Sequence, residues 1–147
     1  MPDVLFDIHL VLTSALVGLI WTIQLVHYPA KHFIAADEFI RYELFHQRQI
    51  SFVVLPLMLG ELSSAAALAF FYFADGSLPM LFSLSLCMLL GVWASTFFIQ
   101  VPLHSKLATG KDPVAIRRLV SSNWLRTALW TTRLICLLAV AHQAGQA

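Results

Sequence analysis

The strongest constraint on this chain is where its cations sit. All nine Lys and Arg residues fall within two stretches, residues 31–48 and 106–133. The segments before, between and after them are apolar and nearly free of charge. Hydrophobic residues make up 59% of the chain and charged ones 12%, whereas a soluble domain carries roughly 25% charged residues. Four segments, 4–28, 50–73, 78–100 and 124–142, are each close to the ~20 residues a helix needs to cross hydrocarbon. The fold class expected is therefore all-α, an integral membrane four-helix bundle with two cytoplasmic loops that contain short helices. The whole chain, 1–147, reads as a single transmembrane domain.

Orientation follows from the same pattern. Loops rich in Lys and Arg stay in the cytoplasm, which puts both termini outside, in the plasma (bacterial inner) membrane. Asp3, Asp7 and Asp75 then lie outside, with no cation near them. The turn at 73–78, with Asp75 and Gly76, makes a tight helical hairpin of spans two and three. The first span has an acidic flank and too long an apolar run for a cleaved signal peptide, so it is expected to be retained. Residues 36–49 lack Gly and Pro and read as a helix running into span two, with Asp37 and Glu38 at its start. Asp112–Pro113 reads as an N-cap and N1 pair opening a short helix through Ser121. A net charge of +1 gives no nucleic-acid footprint. Cys87 and Cys136 lie in apolar spans without a CxxC, which argues against a redox pair.

Counted from the cationic face, the polar residues inside the spans fall into layers. A rim holds Gln24, His27, Tyr28, His46, Gln100, His104 and Asn123. Deeper lie Trp21, Trp93 and Trp130, and deeper still Glu61 and Arg133. Trp21, Gln24 and His27 share a helix face, as do Trp93, Thr96 and Gln100, and Asn123, Arg126, Trp130 and Arg133. Polar stripes cannot all face lipid, so they should converge on a cytoplasm-facing pocket with Trp walls and a charged floor.

Each element also has a purely structural reading. Glu61 and Arg133 are either a buried ion pair that fixes helix register or functional charges. Arg126 either enters the pocket or snorkels to lipid phosphate. The three deep Trp residues either line the pocket or pack the bundle. His27, His46 and His104 share one face and a metal there is an alternative, but no H-x-x-H pair accompanies them, so the expectation is no cofactor. His9 and His142 lie at similar depth near the outer face, and a bis-His haem is the alternative cofactor.

Gln100-Val101-Pro102-Leu103-His104, followed by Asn123-x-x-Arg126-Thr127, carries a resemblance. It resembles the anthrone oxygenase-like family of small four-helix membrane proteins. There the third helix often ends in Asn-Val-Pro-Leu-Asn, and the fourth opens with Asn or His three residues before Arg-Thr. Trp21-x-x-Gln24-x-x-His27-Tyr28-Pro29 and Asn123-Trp124-x-Arg126-Thr127 are similar to an uncharacterised bacterial branch. Gln100 and His104 stand where that pattern has Asn. The resemblance implies cofactor-independent oxidation of a lipophilic aromatic or quinone-like molecule by O₂. His104 or His27 would then be the base, with Glu61 as an alternative, and Arg126, Asn123 and Gln100 would stabilise the oxyanion. The rival class is a non-catalytic accessory subunit or ligand carrier with a protein partner in the membrane.

Overall fold

The computed structural model describes residues 2–146, which contain no strand. Four helices are long and apolar enough to cross a membrane: α1 (Asp3–Phe33), α2 (Phe39–Ala74), α3 (Met80–Leu107) and α4 (Pro113–Ala144). Each outruns the span read from hydropathy. Apolarity marks only the hydrocarbon crossing, while the backbone ladder continues into the polar flanks. The expected short helix through Ser121 is thus the first third of α4. Its start is as expected: Asp112 Oδ1 accepts the N–H groups of Val114 at 2.8 Å and Ala115 at 3.1 Å. The helix that feeds span two begins at Phe39, with Glu38 as an N-cap that makes no side-chain bond.

The α2–α3 hairpin closes as a Schellman turn. Gly76 N–H donates to Phe73 O and Ser77 N–H to Tyr72 O. Gly76 sits at φ +66°, where a Cβ would be strained. At the other end, Lys111 Nζ donates to His32 O at 3.0 Å and Ile34 O at 2.6 Å, capping the last carbonyls of α1.

Helix α1 packs on α2 and α4, and α3 packs on α4. Gly60 lets Leu12 approach, and Gly91 lets Leu129 approach; an added Cβ would lie 3.3 Å and 3.1 Å from those side chains. Small residues serve this close approach of helices in hydrocarbon. Helices α2 and α3 are consecutive, yet they meet mainly at their ends. Tyr72 touches Phe82 by the turn, with ring centroids 5.1 Å apart, and Gln47 donates to His104 O at the far end, 3.0 Å. The outward faces carry large apolar side chains such as Val11, Phe70, Phe98 and Ile135. Such a surface suits hydrocarbon better than water.

Two helices are interrupted in the same way. Ile23–His27 in α1 and Thr96–Gln100 in α3 are π-helical turns. Tyr28 N–H reaches back to Ile23 O, and Val101 N–H to Thr96 O, five residues rather than four. A proline follows each turn, Pro29 and Pro102. Proline has no N–H, and its ring collides with the carbonyl four residues back. One extra residue per turn relieves the collision, and such bulges recur at functional sites.

Candidate functional site

The deepest polar layer is closed on itself. Arg133 and Glu61 form an ion pair, and both are fully buried. Glu61 Oε1 also accepts Thr13 Oγ1–H at 2.9 Å, and Glu61 Oε2 accepts the Trp130 indole N–H at 3.1 Å. Arg133 Nε donates to Ser85 O at 3.1 Å, and its Nη2 to His9 Nε2 at 2.8 Å. A guanidinium only donates, so Nε2 of His9 accepts and Nδ1 carries the proton. Nδ1–H then donates to Ser64 Oγ at 2.7 Å, whose own hydrogen goes to backbone carbonyls. Every partner is matched. Both nitrogens of His9 are thus engaged within this network, and His142 hydrogen-bonds with Gln146.

A second cluster sits at the cationic end. Lys31 is fully buried and forms an ion pair with Glu43, also fully buried. Glu43 Oε1 accepts His104 Nδ1–H at 2.6 Å and Gln47 Nε2–H at 3.0 Å. Glu43 holds His104 Nδ1, which leaves Nε2 toward the Tyr28 hydroxyl, 2.9 Å away. His46 lies between Tyr42 and His104, with centroids at 6.0 Å and 6.2 Å. His27 is also close to His46, with ring centroids 5.9 Å apart. Among the described residues, no group of three His, Cys, Asp or Glu is arranged to hold a metal ion.

Between the two clusters lies a cavity of about 240 Å³. Trp93, Thr96, Gln100 and His104 line it from α3, His46 and Gln47 from α2, Tyr28 from α1 and Arg126 from α4. An engineered cavity of ~150 Å³ holds benzene, so there is room here for a somewhat larger ring system. Its polar lining is only partly satisfied. His46 Nε2, Trp93 Nε1, Gln100 Oε1 and Arg126 Nε are buried and have no hydrogen-bond partner. Of the remaining described side chains, only Ser95 Oγ shares that condition. Native proteins leave few buried polar atoms unpaired, and each asks for an explanation.

The sequence-predicted residues thus divide. His104, Arg126, Trp93, Thr96 and Gln100 meet around the cavity. Gln24 and Asn123 form its support: Asn123 Nδ2 donates to Gln24 Oε1 at 2.8 Å, and Arg126 Nη1 donates to Asn123 Oδ1 at 3.3 Å. Trp130 carries the Arg126 guanidinium on its face, 5.0 Å from the ring centroid. Glu61 and Arg133 belong to the closed network below. His27 is half-buried beside His46 and does not line the cavity. Trp21 is on the outside, donating to Thr131 Oγ1 at 3.1 Å and edge-on to Trp124.

Sequence reasoning did not single out Glu43, Lys31 or Gln47. Glu43, His46 and Gln47 follow i, i+3, i+4, one face of a helix. That face was legible, but the segment reads as a solvated loop helix. Lys31 reads as a loop cation, whereas its side chain turns inward to Glu43 between the rings of Tyr28 and Tyr42.

No protein-family model matches this chain, and no curated protein or solved structure matches it either. The site therefore stands on its own geometry.

Proposed function

We propose that this chain is an integral membrane protein with both termini outside the cytoplasm, and that its cavity binds a planar lipophilic phenol or quinone and moves a proton to or from it. The observation that supports this reading is that four residues lining one cavity, His46, Trp93, Gln100 and Arg126, each carry a buried polar atom (Nε2, Nε1, Oε1 and Nε) with no hydrogen-bond partner. Each such atom costs roughly 1–3 kcal/mol while unmatched. A single ligand with hydrogen-bonding edges compensates several at once. Trp93 and Arg126 only donate there, Gln100 Oε1 only accepts, and His46 does either. That set suits a ring with a carbonyl or phenolate oxygen on one edge and a hydroxyl on another. Trp93 and Phe97, with centroids 5.4 Å apart, offer it an aromatic wall.

The chain Tyr28–His104–Glu43 is the proton path in this reading. Tyr28 faces the cavity. As it takes a ligand proton, its own passes to His104 Nε2, and Glu43 holds the imidazolium that results. Arg126 and Trp93 hold the oxyanion left on the ligand. The resemblance to the anthrone oxygenase-like family extends this to oxygenation. A methylene activated by a neighbouring carbonyl loses a proton, and the carbanion reacts with O₂. The balance is one methylene and one O₂ giving one carbonyl and one water.

The test is ligand affinity and O₂ uptake for wild type, His104→Ala and Arg126→Gln. Turnover lost with binding kept in His104→Ala supports the enzyme. A wild type that turns over no phenol or quinone in a broad panel, yet keeps a native ligand bound, makes it a carrier or accessory subunit.

A further inference from the structure

We infer that the ligand enters sideways from the bilayer, between α2 and α3, and carries an aliphatic tail that trails out through that opening. This rests on the proposed ligand pocket. At the cationic end the way in is barred. Gln47 Nε2 bridges from α2 to His104 O on α3 at 3.0 Å, and the Glu43–His104 bond crosses the same gap at 2.6 Å. Toward the hairpin, Tyr72 and Phe82 close the two helices again, and the Arg133–Glu61 network fills the space between. Between these closures α2 and α3 are not packed on each other, and the cavity reaches the surface there.

The mouth is largely apolar, with Ser51 of α2 and the exposed Ser105 of α3 at its cationic end. Leu55 of α2 is 50% exposed, and Phe97 and Val101 of α3 are 56% and 48% exposed, yet all three also line the cavity. The mouth therefore grades from hydrocarbon outside to Trp93, Gln100 and Arg126 inside. A water-soluble molecule would have to leave water, cross hydrocarbon and then find this mouth. A molecule with a polar aromatic head and an aliphatic tail already resides in the bilayer at the right depth. Its tail gains little from the mouth itself, because lipid and the Leu55–Val101 rim are equally apolar. The tail acts by concentrating the ligand in the membrane, at ~0.8 kcal/mol per buried methylene.

The test uses the full chain in lipid nanodiscs, with Cys87→Ser removing the exposed native thiol and Leu55→Cys and Val101→Cys added across the mouth. The probes are tetramethyl-p-benzoquinone and its trimethyl analogue bearing a decyl chain, both read by quenching of Trp fluorescence. The decyl quinone is expected to saturate at a total concentration at least about tenfold lower than the tetramethyl one. Joining the two cysteines with a bismaleimide before adding quinone is expected to slow decyl-quinone binding about tenfold, because association slows when entry needs the helices to part. The unjoined double-cysteine protein is the reference for the joined one, and Val101→Trp, which narrows the same mouth, must slow binding relative to wild type. Unchanged rates in both the joined protein and Val101→Trp overturn lateral entry and leave the pocket standing. Absence of quenching by either quinone in wild type overturns the pocket, and the inference with it.

Discussion

The indole N–H of Trp130 donates to Glu61 Oε2 across 3.1 Å. The same ring carries Arg126 on its face at 5.0 Å. Trp130 is fully buried and so stands as the wall between two polar layers of opposite character. Below it every donor and acceptor around Glu61 and Arg133 is matched. Above it, around Arg126, four polar atoms wait unmatched. The lower layer has the properties of a structural clamp and the upper those of a binding site.

The clamp sets the first prediction. Glu61→Gln leaves Arg133 as an uncompensated buried charge, and the expected loss is about 3–5 kcal/mol. The double variant Glu61→Gln, Arg133→Met removes the charge on both sides and should recover most of it. Denaturant or thermal unfolding in detergent measures both. A single variant as stable as wild type would remove the clamp from the account.

The unmatched layer sets the second. Trp93→Phe deletes a buried donor that bonds to nothing in the free protein. Its stability cost should stay within about 1 kcal/mol, because the lost packing is offset by removal of an unsatisfied group. Ligand affinity should fall about tenfold, the worth of one hydrogen bond to a matched partner. If affinity is unchanged while stability collapses, Trp93 is a packing residue.

The third concerns pH at the edge of the bundle. The Lys106 ammonium first, and then the Ala115 and Val114 N–H groups, hold the Asp112 carboxyl at about 2, below its ordinary 3.8. The folded value is depressed, so this contribution is fully present above 3.8 and lost as pH falls through about 2. The protection of the Val114 and Ala115 N–H groups, taken relative to an unstructured peptide at the same pH, should fall over that window. Asp112→Asn keeps an N-cap acceptor and should abolish the pH dependence while retaining protection.

The fourth is topological. A cysteine appended at either terminus should react with an impermeant maleimide in intact cells, and cysteines placed at the exposed Arg41 or Arg117 should not. Protection of either terminus reverses or breaks the proposed orientation.

Sequence alone determined the helical spans, the hairpin at Gly76, the Asp112 cap and the partnership of Glu61 with Arg133. All four follow from rules that need no neighbour. Apolar length sets a span, φ above zero asks for Gly, a carboxylate caps free N–H groups, and an ion in hydrocarbon needs a counter-ion at its own depth. Tertiary structure decided which of the candidate side chains reach the cavity and which do not. The helix-face argument assumes a constant 100° per residue, and the turns at Ile23–His27 and Thr96–Gln100 break that step. Trp21, placed before the α1 turn, consequently points out toward Trp124 while Tyr28, after it, points in. Pro29 and Pro102 were visible as causes of a break, but a proline can kink, bulge or end a helix, and the neighbouring helices choose among these. Lys31 and Glu43 were hidden for a related reason. Each charge reads as solvated when taken singly, and only the fold of α1 back onto α2 brings the two close enough to be buried together.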